Sequence, residues 1–200
     1  QDSTTFNEAH WLKRVRYTDD TAVNNLEIGG RNLLLNSNFS NGTKHWSVIG
    51  GTGTVVGNEL ILSNTLDASW PRLYYSPYVQ IVGGESYSIS FEYKMSEEDS
   101  KQSMSLWISD LTSQNPIIPP QPLQFSTEWV RFKLSFEALR DSTVDTKIQF
   151  WINSHQSTVV NTRYVRRFKL EKGNKPTDWT PAPEDVQAEI DDAKQEALTA

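Results

Sequence analysis

The sequence contains no cysteine. Thiol nucleophiles, thiolate zinc sites and a disulfide framework are therefore excluded, and a bacterial or phage source fits better than a secreted eukaryotic one. Histidine is scarce: His10, His45 and His155 stand far apart, with no metal-ligand spacing between them. Basic charge is in deficit, with 19 Lys and Arg against 25 Asp and Glu and a net charge of −6. That balance argues against a nucleic-acid backbone or an anionic membrane as the main partner. No apolar run approaches the length that crosses a bilayer, and no signal-peptide pattern is present. A Gly-rich phosphate loop, a Gly-x-Ser-x-Gly elbow and a His-Glu-x-x-His pair are absent as well. The carboxylates offer little in their place. Glu97-Glu98-Asp99 reads as a solvated hairpin loop, and Asp110, Asp141 and Asp145 fall at strand ends or turns, not as the facing pair that glycoside hydrolysis needs. Catalysis is not expected. The chain begins at Gln1, not at Met, and reads as a fragment excised from a longer protein.

What the sequence does have is rings. Aromatics make up 11% of the 200 residues, with seven Trp, seven Tyr and eight Phe. A few such side chains bury enough area for one packed core, so this is not a disordered composition. Residues 1–28 are polar and mixed, apart from His10-Trp11-Leu12 and Val15-Arg16-Tyr17, and read as a linker or connecting arm. Residues 29–183 carry short apolar runs separated by Gly, Asn, Ser, Pro and Asp. Strands are expected at 32–36, 54–56, 60–63, 72–81, 87–95, 104–109, 129–137, 147–153 and 163–171. The Pro-rich stretch Asn115 to Pro122 reads as a long loop, because its prolines lack the N–H that a central strand requires. From residue 184 to 200 the pattern turns helical, with Glu184 and Asp185 at a favourable N-terminus. Val186, Ile190, Ala193 and Ala197 form a short stripe that either opens a coiled coil or belongs to a frayed tail.

The strands alternate. Tyr87, Ile89, Phe91 and Tyr93 share one face of their run, and Val130, Phe132, Leu134 and Phe136 share one face of theirs. A period of two buries one face of a sheet, and two such sheets can enclose one core. The fold class is all-β, a sandwich with an N-terminal arm and a C-terminal helical tail. Against this pattern two residues stand out. Met104, Leu106 and Ile108 belong to the core, which turns Trp107 outward between Ser105 and Ser109. Ile148, Phe150 and Ile152 do the same to Trp151, between Gln149 and Asn153. A sugar ring presents an apolar C–H face and a rim of hydroxyls, so an indole plate can cover the face while neighbouring polar groups bond the rim. Gln149, Asn153, Glu92 and Lys94 are the candidate rim partners. Trp70 and Tyr75, from the cluster around Pro71 and Pro77, are candidate accessory contacts. Trp46, Trp129 and Trp179 read as packing. The alternative is that Trp107 and Trp151 are covered, by the 115–122 loop or by another subunit.

Two segments carry a resemblance. Gly30-Arg-Asn-Leu-Leu-Leu-Asn-Ser-Asn-Phe-Ser-Asn-Gly-Thr-Lys-His-Trp46 resembles the opening of carbohydrate-binding modules of the xylanase-associated families four, nine and twenty-two type. Lys169-Leu-Glu-Lys-Gly-Asn-Lys-Pro-Thr-Asp-Trp-Thr-Pro-Ala-Pro-Glu-Asp185 is similar to the end of such modules in tail and baseplate proteins of phages and prophages of Gram-positive bacteria. The resemblance spans about residues 29–185, with motifs at its two ends. It implies a jelly-roll sandwich, a glycan ligand on a sheet face and a virion-tail adhesin that holds host cell-wall polysaccharide. Further tail subunits, and a homotrimer formed through the helix, would be its partners. Many relatives bind a structural calcium through an acidic residue after the opening Phe and an Asp pair in the last strand. Here those places hold Ser40 and Arg166-Arg167, so no cofactor is expected there. Two other readings remain: a structural spacer or docking module of the tail, and an appended module of a glycoside hydrolase.

Overall fold

The computed structural model describes residues 30–66, 68, 70–96, 104–112, 114–152 and 160–199. The expected arm at 1–28, the acidic run at 97–99 and Asn153 lie outside them. The described residues form ten strands: β1 (Trp46–Ile49), β2 (Gly51–Val56), β3 (Glu59–Asn64), β4 (Arg72–Tyr75), β5 (Ser86–Met95), β6 (Met104–Asp110), β7 (Ile118–Leu123), β8 (Val130–Glu137), β9 (Thr146–Trp151) and β10 (Thr162–Lys172). They form two five-stranded sheets, ordered β1-β4-β9-β6-β7 and β2-β3-β10-β5-β8. Every pairing is antiparallel. The architecture is a jelly-roll β-sandwich.

Alternation fills the space between the sheets. Tyr87, Ile89, Phe91 and Tyr93 of β5 are buried, as are Leu60 and Leu62 of β3 and Leu106 and Ile108 of β6. Val130, Phe132, Leu134 and Phe136 of β8 pack on this core but stay partly exposed, because β8 is an edge. In β10 the alternation breaks. The register shifts between Arg166 and Lys169, and Arg167 adopts a left-handed φ of 54°. This bulge lets Val165 and Phe168, three positions apart, both face inward.

Three sequence expectations change. The Arg72–Ile81 run ends as a strand at Tyr75, ahead of Pro77. The Pro-rich stretch is not only a loop: Ile118–Leu123 pairs with β6 as the outermost strand of its sheet. A proline is harmless there if its missing N–H would have faced solvent, and it also discourages further pairing. The run Asn32 to Asn36 is a turn instead of a strand, and it serves as a clasp. The Asn32 side-chain oxygen accepts from the backbone N–H of Leu34 (3.1 Å) and Leu170 (3.3 Å). Its nitrogen donates to Ser37 Oγ (2.9 Å), Phe168 O (2.9 Å) and Thr180 O (3.0 Å). Trp179 Nε1 also reaches Ser37 Oγ, at 3.1 Å. The two ends of the domain therefore close on each other.

The helix, α1 (Pro183–Thr199), leaves this clasp with none of its residues buried. Its first turn is tied down: Asp185 accepts from the Asn36 N–H at 2.7 Å, and Glu184 pairs with Arg31.

Candidate functional site

β6 and β9 are neighbours, and their register sets Ser105 opposite Trp151 and Trp107 opposite Gln149. β4 flanks β9 on its other side, with Arg72 opposite Trp151 and Tyr74 opposite Gln149. All of these residues stand on the face of the sheet turned away from the core. The diagonal between β6 and β9 brings the Trp107 and Trp151 rings to 5.1 Å, tilted by 31°. Trp70, on the turn before β4, adds a third ring 5.4 Å from Trp151 at an interplanar angle of 68°. Its φ of 55° is unusual for a bulky side chain.

The result is a corner, not a flat plate. Trp151 is its floor, only 6% exposed, and Trp70 is an outer wall, 45% exposed. Trp107, half-buried, is the other wall. With Leu111 and Thr112 these rings line a cleft of about 380 Å³. Arg72 holds the walls together. Its guanidinium lies 5.0 Å from the Trp151 ring centroid and donates to the carbonyls of Trp70 (2.8 Å) and Leu111 (3.1 Å). Desolvation lowers the Arg72 pKa from its ordinary value, but guanidinium stays charged at any relevant pH.

Asp110 organises the turn that carries Leu111 and Thr112. Its carboxylate accepts from Thr112 Oγ1 (2.8 Å), the Gln114 N–H (3.0 Å) and Asn115 Nδ2 (2.7 Å). Desolvation opposes its ionisation, but the bonds from Asn115, Thr112 and Gln114 outweigh it and hold the carboxyl below the usual range. A depressed carboxyl lends order above the ordinary Asp value of about 3.9 and loses it as pH falls through the lower folded value. Acidification below about pH 4 is therefore expected to shift the Gln114 amide and Asn115 side-chain resonances. Those shifts should be absent in Asp110→Asn, and nuclear magnetic resonance titration reads both.

The expected contacts fall into three groups. Trp107, Trp151 and Trp70 come together. Gln149 lies among them but is no rim contact: it is wholly buried, with Nε2 bonded to Asp110 O (2.8 Å), Ser109 Oγ (3.1 Å) and Ser109 O (3.3 Å). Its Oε1 and Trp151 Nε1 are buried without a hydrogen-bond partner among the described residues. Tyr75, Glu92 and Lys94 are not at the cleft. Tyr75 points into the core, 5.0 Å from the Trp46 ring, and its hydroxyl accepts from the Leu35 N–H at 3.0 Å; its outward neighbours are Arg72 and Tyr74. Glu92 and Lys94 belong to β5, in the other sheet, on the far side of the core. There Arg166 donates to Glu92 at 2.6 Å, and Lys94 packs 4.8 Å from the Trp129 centroid. Asn153 is outside the described residues. Sequence reasoning missed Arg72, Leu111 and Thr112. Arg72 was legible as the outward partner of Leu73 in an alternating run, whereas nothing local announces that Leu111 and Thr112 fold back over the sheet.

The residues at the calcium positions of the resembling family do not fit that ion. Ser40 offers no carboxylate, and Arg166 is held by Glu59 and Glu92, each at 2.6 Å. Cations of the chain itself already neutralise the local acids. Among the described residues no group of three or more Asp, Glu or His is arranged so that it could hold a metal ion, and no helix is long and apolar enough to cross a membrane.

No family model matches the sequence, and no curated protein matches it significantly. Solved structures do share the fold. A family 4 carbohydrate-binding module aligns with 68% of this chain over 99% of its own, at 13% identity and a TM-score of 0.58. The N-terminal cellulose-binding domain of Cellulomonas fimi β-1,4-glucanase C aligns over 68% of this chain and 93% of its own, at 12% identity and a TM-score of 0.50. An arabinose-bound α-L-arabinofuranosidase matches 80% of this chain, at 12% identity and a TM-score of 0.60, but the match spans only 29% of that enzyme. At these identities the likeness establishes the sandwich.

Proposed function

We propose that this chain is a non-catalytic glycan-binding module that seats saccharide in the Trp70–Trp107–Trp151 cleft. The observation that carries the reading is the convergence of these rings from three chain segments onto the outer face of one sheet. A core needs no such arrangement, and leaving Trp70 45% exposed has a hydration cost. Solved glycan-binding modules of the same architecture support it. The resemblance of residues 169–185 to the end of such modules in phage tail and baseplate proteins supports, in this proposal, a virion-tail adhesin at the bacterial cell surface that holds cell-wall polysaccharide. No nucleic acid or membrane partner is proposed. A shallow cleft binds modestly, and repetition along an oligomeric tail would raise the avidity.

The experiment is a titration of intrinsic tryptophan fluorescence with cell-wall polysaccharide from Gram-positive hosts. Saturable quenching is expected, and Trp107→Ala should weaken binding at least about tenfold while still unfolding cooperatively. Trp151→Ala is the poorer probe, because it removes a buried floor. Absence of quenching with every polysaccharide would favour a second reading, a spacer module that joins tail subunits. That reading has an observation of its own: Val186 and Ile190 of α1 are 40% and 43% exposed, a stripe suited to a homotrimeric coiled coil. A third reading, a module appended to a glycoside hydrolase, draws on the arabinofuranosidase, of which this chain resembles only a part.

A further inference from the structure

We infer that Asn41 is a self-modifying site: it deamidates through its own backbone, and the isoaspartyl product uncouples α1 from the sandwich. The inference goes beyond the glycan-binding reading and does not depend on it. Asn41-Gly42 is the sole Asn-Gly pair in the sequence. In this reaction the Gly42 nitrogen attacks Asn41 Cγ and closes a cyclic succinimide. The C–N bond of the side-chain amide breaks, and Nδ2 leaves as ammonia with the proton given up by Gly42. Water then opens the ring at either carbonyl. One opening gives aspartate; the other gives isoaspartate, in which the chain runs through the side-chain carbon. Glycine at the attacking position removes the Cβ that would otherwise crowd the nitrogen.

The fold leaves both reacting groups accessible. Asn41 and Gly42 are exposed, and open space lies where a Gly42 Cβ would stand, which admits water. Among the described residues no hydrogen bond holds the Asn41 side chain or the Gly42 N–H; the bonds of this loop run through the Asn41 N–H and the backbone carbonyls. The other described asparagines are held back. Asn32 and Asn36 are buried and tied by their side chains. Asn64 and Asn161 are buried, and each precedes a β-branched threonine. Asn115 precedes Pro116, which has no N–H to give up. The consequence follows from Asn36, the hub of this loop. Its Nδ2 donates to Gly42 O (3.0 Å) and Lys44 O (2.9 Å), and its Oδ1 accepts from the Asn41 N–H (2.9 Å). Isoaspartate adds a methylene to the backbone between those partners, so one planar amide can no longer meet them together. Asn36 also donates its own N–H to Asp185 at 2.7 Å, the tie that holds the first turn of α1. The new charge matters less. Asn41 shares a hollow with Asp185, Glu189 and Asp192, but Lys44 and His45 line it too, and exposed charges are screened.

Ageing the intact chain at mildly alkaline pH tests this. Peptide mass spectrometry locates the converted residue, and enzymatic methyl transfer to isoaspartate identifies the product. Asn41 should convert while Asn64, Asn115 and Asn161 stay intact, and Asn41→Gln should stop the reaction at this loop. Hydrogen exchange on the aged chain should show lost protection at the Asn36 amide and in the first turn of α1, with the amides of β5 and β10 unchanged. Asn41→Asp, which adds the carboxylate without lengthening the backbone, should keep native protection at Asn36. Asn41 left intact after ageing, whether or not another asparagine converts, would overturn the site. Conversion of Asn41 with the Asn36 amide still protected would overturn the uncoupling, and so would a loss in Asn41→Asp as large as in the aged chain.

Discussion

Replacing Lys169 with alanine is expected to destabilise the domain by about 3–5 kcal/mol, the usual cost of breaking a buried ion pair from one side. Lys169 and Glu171 side chains are 3% and 1% exposed, with Nζ 3.3 Å from Oε2. The ammonium also donates to Thr177 Oγ1 (2.7 Å) and Asp178 O (3.0 Å). Glu171 in turn accepts from the Thr177 N–H and hydroxyl, both at 2.7 Å. Each charged proton and each carboxylate oxygen thus has a partner, and the network pins the exit segment onto β10. Lys169→Ala leaves a carboxylate buried with no counter-charge. Lys169→Met restores the stem but not the charge, and should recover little. Lys169→Met combined with Glu171→Gln removes both charges while keeping an acceptor for Thr177, and should recover most of the loss. Urea unfolding of the three variants measures the differences; equal stability of the alanine variant and the native chain would refute the network's role.

Phe91→Ala is expected to cost a similar amount, about 3–5 kcal/mol, for a different reason. The Phe91 ring is completely buried. It stacks between Phe132 at 5.0 Å and Phe168 at 4.8 Å, and meets Phe150 edge-on at 5.6 Å. It therefore bridges β8, β10 and, across the sandwich, β9. Truncation removes apolar burial, leaves a cavity that stiff neighbouring rings cannot fill, and deletes the aromatic contacts with Phe132, Phe150, Phe168 and Tyr93, each worth about 0.5–1.5 kcal/mol beyond area. Phe91→Leu should recover a good part of the loss. Phe132→Ala, on the partly exposed edge strand, should cost clearly less, and comparison of denaturant midpoints checks the order.

These variants also explain why the resemblance is confined to the two ends of the domain. Asn32, Ser37, Lys169, Glu171, Thr177 and Trp179 are the groups that lock those ends together. Their pattern is demanded by closure of the sandwich, so it reports the fold, whichever ligand the module binds. The rings of the cleft lie between those motifs, on β6, β9 and the turn before β4, where the fold asks only for an alternating strand.

Local pattern alone determined the sandwich, because a side chain's face in a strand follows from a period of two, and that holds wherever the strand sits. It placed Trp107 and Trp151 outward, and Tyr87 to Tyr93 inward, for the same reason. It could not say which strands are neighbours. Strand order depends on long-range pairing, and only the pairing of β6 with β9 brought the two indoles together, while β5 carried Glu92 and Lys94 to the opposite sheet. Nor could it see the bulge at Arg166–Arg167, the edge position that admits the prolines of β7, or the Leu111 turn that folds back beside Arg72. Each is settled by what packs against the segment from elsewhere in the chain. The cleft is therefore a property of the tertiary structure, made in part from two tryptophans whose outward direction the period of two had already foretold, one strand at a time.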